Sequence, residues 1–195
     1  MSPTGIILYG PPGSGKDTIT EELTAIRPEF SLFQRLKAGP GRTTGYRMTT
    51  ADHIADLARA GEALYRNSRY DAEYAVDRGE VARLVDSGRV PVLHMGQVLG
   101  ARAVAAYPID WLRVLLWCPE DVTRQRSTGR GDKDTDARLR VWHETRQDLL
   151  DHASEPWSLV IHTDDVSATQ AALAIDEARL AGAPAEARDI RGLVG

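Results

Sequence analysis

Cysteine is all but missing from this sequence: Cys118 is the only one in 195 residues, so no internal disulfide can form and the chain suits a reducing compartment. It follows an apolar run, which makes it buried filler rather than a nucleophile. Also lacking is any apolar stretch near the roughly 20 residues that cross a bilayer. The opening "MSPTGIILYG" has neither the charged start nor the longer apolar segment of a secretory signal. These absences set the expectation of a cytoplasmic protein with no membrane partner. Positive charge is in short supply as well. With 24 Lys and Arg against 28 Asp and Glu the formal charge is -4, which speaks against a nucleic-acid binder relying on overall potential. No internal repeat is present. What remains is 42% hydrophobic and 27% charged residues, the make-up of an ordinary globular protein. Its length fits one domain with room for a small inserted lobe.

Short apolar segments alternate with helix-like ones, the pattern of an α/β fold with a parallel sheet flanked by helices. "GIILYG", "RVPVLHM", "WLRVLLWC" and "SLVIHT" have strand length, and "DTITEELTAI" predicts a helix directly after the first of them. Between Phe30 and Asp77 the character changes. "KAGPGRTTGYRM" is rich in turn formers, and "TADHIADLARAG" reads as a short helix closed by Gly61. This predicts an inserted lobe over 35–77, set into a core of 1–34 and 78–180. "RSTGRGDKDTD", charged and glycine-containing between two helices, predicts a lid over 127–136. Residues 181–195 read as a loosely ordered tail.

The first strand runs into "GPPGSGKDTIT", Gly10 to Thr20. A phosphate-binding loop has Gly, four residues, Gly-Lys, then a Ser or Thr whose hydroxyl ligates magnesium. Gly10, Gly15 and Lys16 keep that spacing, but Asp17 follows and the hydroxyl arrives one place later, at Thr18. Gly10, Gly13 and Gly15 let the backbone curl around Ser14 with its N–H groups inward. The helix start adds partial positive charge, and Lys16 reaches the outer phosphates. Asp17 suits the dipole of a helix's first turn and is equally placed to hold magnesium, directly or through water. Thr18 then meets an inner phosphate. The loop is built for a polyphosphate, with Mg2+ as an expected cofactor.

Beyond the loop, the chain resembles guanylate kinase and its relatives from about Gly5 to Leu173. "GYRMTTADHI" is similar to the family's Gly-x-x-Tyr-x-Phe-Val segment and the helix after it, and "SRYDAEYAVDRGEVARLVDSGRVPVL" to the Tyr-Gly-Thr segment with its helix and core strand. "CPEDVTRQRSTGRGDKDTDARLRVWHE" resembles the Pro-Pro segment, the Arg-Gly lid and the next helix, and "WSLVIHTDDVSAT" the closing Val-Asn-Asp-Asp strand. The resemblance implies a P-loop kinase that moves the terminal phosphate of ATP to a phosphorylated small-molecule acceptor, most simply a nucleoside monophosphate. It implies a monomer or homodimer. Arg130 fits the lid arginine and Arg138 that of the next helix, with Arg124 and Arg126 near them. Tyr46 and Tyr74 fit the tyrosines on the acceptor phosphate, with Arg35 and either Lys37 or Arg42 as cationic partners. Thr163 falls where the family places an asparagine near adenine.

Departures from the pattern bear on the acceptor. The family's guanine-recognising glutamate falls at Tyr65, counting back from Tyr74, and the threonine after the second tyrosine falls at Val76. Glu62 and Glu73 are the carboxylates that could replace it. The acidic residue of the central strand is missing from "VLHMGQ", which offers His94 at a strand's carboxyl end, where ligands meet parallel sheets. Losing that aspartate while gaining Asp17 is consistent with the metal's carboxylate support having moved to the loop. Asp after the loop lysine resembles the ribose 1,5-bisphosphate kinases and some deoxynucleotide kinases, which makes a sugar bisphosphate a rival acceptor. A non-catalytic guanylate kinase-like binding module is the alternative from another class, although such modules have eroded loops. A hydrolytic switch protein would need a central-strand aspartate that is absent.

Overall fold

The computed structural model describes residues 3–69, 71–129 and 135–194. From the N-terminus run β1 (Thr4–Tyr9), α1 (Lys16–Ile26), β2 (Phe30–Leu32), β3 (Arg35–Ala38), β4 (Tyr46–Met48) and α2 (Ala51–Arg59). Next come β5 (Ala63–Arg69), β6 (Ala72–Asp77), α3 (Arg78–Asp86), β7 (Val90–Met95), α4 (Val98–Ala105) and β8 (Asp110–Trp117). The chain closes with α5 (Glu120–Gly129), α6 (Thr135–Asp151), β9 (Pro156–Trp157), β10 (Leu159–His162), α7 (Ala168–Leu180) and β11 (Glu186–Ala187).

Five strands form a parallel sheet in the order β10-β8-β1-β7-β2. β1 sits at its centre and is covered on both faces, which is why it is a continuous apolar run rather than an alternating one. Ile6 and Leu8 point to one side, against Ile19 and Leu23 of α1 and Ile175 of α7. Ile7 and Tyr9 point to the other, against α4, Trp142 of α6 and Trp157. Pairing puts Tyr9 level with Met95 and Leu115, so the carboxyl ends of three strands finish together. Ligands meet parallel sheets at that edge.

A second sheet, β4-β3-β6-β5, is built from residues 35–77 and is antiparallel except for the β3–β4 pair. α2 covers it through Ile54, which is fully buried against Leu36, Ala38 and Ala75. Burying a side chain of that size is worth about 1.5–3 kcal/mol. Thr50 accepts from His53 N to start α2, and Asp77 accepts from Glu80 N to start α3, each closing an otherwise orphaned backbone donor. α7 opens with a reciprocal Ser167–Gln170 capping box.

Two expectations change. The lid was placed over 127–136, but α5 continues to Gly129 and α6 begins at Thr135; residues 130–134, Arg130 among them, lie outside the described residues. The tail is not loose. β11 pairs antiparallel with β9, Ile190 and Val194 are fully buried beside Trp157 in one core cluster, and the Val194 carbonyl accepts from Arg146 Nε at 2.6 Å. Polar composition hid two apolar side chains four residues apart, and these suffice to anchor the segment.

Asp148, late in α6, ties three elements together. It accepts from the Tyr9 hydroxyl at 2.7 Å and from Val98 N, at the start of α4, at 2.7 Å. The bond to this carboxylate adds to burial in raising the Tyr9 pKa. Among the described residues, no helix is long and apolar enough to cross a membrane.

Candidate active site

The turn between β1 and α1 is shaped by glycine and plugged by lysine. A Cβ at Gly10 would overlap the carbonyl oxygen of Leu116 on the neighbouring strand, so only glycine lets the turn leave the sheet this close. Gly15, with φ of 83°, takes the left-handed conformation at the N-cap of α1. Inside the curl, the Lys16 ammonium donates to the carbonyls of Gly10 (2.7 Å) and Pro11 (2.8 Å) and to the buried Ser14 Oγ (3.2 Å). Burial lowers its pKa to about 8, against the opposing pull of Asp17.

Two cavities flank this turn. The first, of about 310 Å³, reaches from the turn to the second sheet. The second, of about 380 Å³, lies between Gly13, Gly15, Thr18, Arg126 and Thr163 and the start of α7. Thr18 lines both. Arg126 of α5 braces the second cavity, donating to the Gly13 carbonyl (2.7 Å), Thr163 Oγ1 (3.1 Å) and the Thr163 carbonyl (2.5 Å). Arg124 is exposed and paired with Glu120 at 3.0 Å, away from either cavity.

The first cavity gathers Arg35, Arg42, Tyr46, Tyr65, Tyr74, His94 and Arg138 with the turn. The Tyr46 and Tyr74 rings meet at 5.4 Å, and the Arg35 guanidinium stands over Tyr74 at 5.2 Å while donating to Asn67 Oδ1. Arg35 Nε is buried without a hydrogen-bond partner. Burial lowers the Arg35 pKa, offset in part by the tyrosines. Of Lys37 and Arg42, Arg42 lines the cavity. Lys37 is buried outside the cavity, its ammonium donating to the Arg42 carbonyl at 2.7 Å and lying 5.5 Å and 5.8 Å from the centres of the two tyrosine rings.

Tyr65 donates to Gln97 Oε1 at 2.6 Å, and its pKa is raised by burial. Neither Glu62 nor Glu73 lines the cavity; Glu73 pairs with Arg66 at 2.8 Å instead. Sequence reasoning missed Asn67, Arg69 and Gln97. The signal for the first two was there. In a strand, residues two apart share a face, so Tyr65, Asn67 and Arg69 of β5 enter the cavity together. Arg69 also pairs with the exposed Glu144 at 2.6 Å.

Where β7 ends, His94 Nε2 is 2.7 Å from Thr20 Oγ1, and Nδ1 is 3.5 Å from Asp17 Oδ1. The Thr20 hydroxyl gives its single proton to the Lys16 carbonyl at 2.8 Å. In that arrangement Nε2 carries the ring proton and the Nδ1 lone pair faces Asp17; with the Thr20 proton on Nε2 instead, Nδ1–H points at the carboxylate. Burial, followed by the Lys16 charge, lowers the His94 pKa to about 4, so the ring is neutral near pH 7. Asp17 itself is largely exposed, and its other oxygen lies 4.0 Å from Arg42. These residues suit a divalent cation: a largely exposed carboxylate stands at the start of α1, beside the glycine turn.

No protein-family model and no curated protein matches the chain. Solved structures do. Guanylate kinase from Anaplasma phagocytophilum aligns with a TM-score of 0.65 at 15% identity, covering 93% of this chain and 87% of that one. The chain has a guanylate kinase-like P-loop kinase fold. Shikimate kinase from Acinetobacter baumannii, in complex with shikimate, aligns with a TM-score of 0.47 at 16% identity, over 93% and 94% of the two chains. In the guanylate kinase-like frame, the carboxyl edge of the parallel sheet carries the glycine turn and the second sheet faces it across the first cavity.

Proposed function

We propose that the protein transfers the terminal phosphate of ATP to a phosphorylated small molecule. The first cavity carries this reading. Lys16 forms one wall and Arg35, Arg42, Arg69 and Arg138 the others, and Asp17 is the single carboxylate among the described lining residues. Five cations around an open space of that size call for a polyanion.

The phosphates of ATP are held by the backbone N–H groups from Gly13 to Thr18, with the base in the second cavity against Thr163 and Arg126. Lys16 exchanges the carbonyls of Gly10 and Pro11 for phosphate oxygens. Because burial has already stripped its water, the ammonium meets the triphosphate without a further desolvation cost. Tyr46, Tyr74, Arg35 and Arg42 hold the acceptor phosphate, whose oxygen attacks the terminal phosphorus of ATP in line as the bond to ADP breaks. That oxygen is already ionised, so no general base is required. Arg138 offsets charge on the transferring group, and Arg130 of the proposed lid joins it. Magnesium, when bound beside Asp17, supplies charge neutralisation at the outer phosphates.

The lining also favours a particular acceptor. A guanine ring presents N–H groups that a carboxylate meets best; neither Glu62 nor Glu73 lines the cavity, and Gln97 Oε1 and Asn67 Oδ1 already accept from Tyr65 and Arg35, keeping one lone pair each. Arg69 adds a cation at the end of β5 instead. An acceptor with two anionic groups, such as a sugar bisphosphate, therefore fits better than GMP or a related nucleoside monophosphate. The test is ATP-dependent ADP release with magnesium against GMP, dGMP, other nucleoside monophosphates, ribose 1,5-bisphosphate and no acceptor. Turnover with the bisphosphate is expected. Turnover with GMP alone overturns the acceptor preference, and silence across the panel counts against the kinase reading.

A further inference from the structure

His94 stands where a parallel-sheet site meets its ligands, yet its hydrogen bonding leaves one ring nitrogen facing a carboxylate. The Thr20 hydroxyl faces both the Lys16 carbonyl at 2.8 Å and His94 Nε2 at 2.7 Å; with its proton on the carbonyl, Nε2 carries the ring proton. Nδ1 and Asp17 Oδ1, both lone-pair donors, then stand 3.5 Å apart. Two acceptors in that relation repel each other unless a cation lies between them. Ligands bound side by side to one divalent ion at about 2.1 Å are roughly 3 Å from each other. The His94 ring is fixed by burial, whereas the Asp17 side chain is largely exposed and has room to close the remaining half ångström.

We propose that His94 Nδ1 and Asp17 Oδ1 together form a divalent-cation site at the rim of the first cavity, and that the imidazole makes this site prefer Mn2+ over Mg2+. Magnesium binds through oxygens and holds its water tightly, whereas manganese accepts a mixed nitrogen and oxygen set more readily. Among the described residues no group of three or more His, Cys, Asp or Glu converges. Two protein ligands therefore leave the other coordination positions to phosphate oxygens and water, which is what a cation shared with a triphosphate requires. The proposal moves His94 from acceptor contact to metal ligand. It also supplies a reason for aspartate in the place where such loops carry a hydroxyl. Its metal chemistry is independent of which acceptor the enzyme uses, and the cation measurement without nucleotide is independent of kinase activity.

The experiment is Mn2+ binding followed by electron paramagnetic resonance, first with the metal alone and then with inorganic triphosphate, which adds no base nitrogen to the spectrum. A pulsed measurement reads the nuclear coupling of any nitrogen bound to the metal. The expected result is a directly bound imidazole nitrogen in the wild-type protein. It should vanish in His94→Gln, with Mn2+ affinity falling at least about tenfold and Mg2+ affinity, read by competition, moving less. Asp17→Asn, at an exposed position that folding does not depend on, should lower affinity for both ions while the nitrogen signal weakens. Thermal unfolding of each variant checks that the fold is kept. Mn2+ bound without nitrogen coupling, equal loss of Mn2+ and Mg2+ affinity in His94→Gln, or no Mn2+ binding in either arm overturns the proposal. Binding of a fluorescent ATP analogue, measured beside it, separates that failure from a failure of the nucleotide site.

Discussion

Between Gly10 and Lys16 the chain makes a site out of its own backbone within a single turn. The facing wall instead takes Arg35 from β3, Tyr65, Asn67 and Arg69 from β5, Tyr74 from β6 and Arg138 from α6. The first kind of site is fixed by conformation, so it tolerates few substitutions and recognises what every polyphosphate shares. The second is fixed by side chains arriving from separate elements, so its make-up can change without reshaping the turn.

Breaking each wall separately tests the division. Lys16→Ala should have the largest effect, lowering kcat by on the order of 10²–10³, the loss seen when a preorganised charge-stabilising group is removed, as read by ADP release at saturating substrates. Arg35→Met should act on the other wall alone. The acceptor KM should rise ten- to a hundredfold, corresponding to about 1.5–3 kcal/mol for a charged hydrogen bond, with the KM for ATP unchanged; an equal rise in both would show that the walls are not separate.

A pH series sharpens the same contrast. The Lys16 pKa is lowered to about 8 by burial, and bound phosphate favours the charged form. Nucleotide binding must therefore take up a proton above that pH, and ADP affinity should fall several-fold as pH rises through about 8, measurable by calorimetry in buffers of different ionisation heat. The smallest effect belongs to a control whose side chain lines neither cavity. Thr50→Ala removes the α2 cap and should cost about 1 kcal/mol, or about 2–4 °C in Tm for a domain of this size, with both KM values intact.

How far each wall could be read from sequence follows the same line. The turn was legible because its chemistry is a spacing, and the parallel sheet was legible because strands covered on both faces must be continuously apolar. The acceptor wall was legible only through resemblance, position by position. Where this chain departs from the family, at Tyr65 and around Arg69, the strand spacing groups Tyr65, Asn67 and Arg69 on one face, but only the pairing with β6 shows that this face turns inward. Lys37 and Arg42 could not be separated in sequence; in the fold the lysine is buried beside two aromatic rings and only the arginine lines the cavity. The tail was misread for a different reason. A polar average carries little information when two buried side chains, Ile190 and Val194, and a short strand pairing hold the segment.

The Asp148 junction has a mechanical side. The carboxylate pins the late part of α6 to the strand that feeds the turn and to the first turn of α4, while Arg138 lies ten residues earlier on the same helix, about 15 Å away along the axis. Between these points Trp142 Nε1 donates to the Cys118 carbonyl at 2.9 Å and Arg146 Nε to the Val194 carbonyl at 2.6 Å. A tilt of only about 6° would carry the backbone of Arg138 through roughly 1.5 Å, so these anchors together fix where Arg138 meets the first cavity.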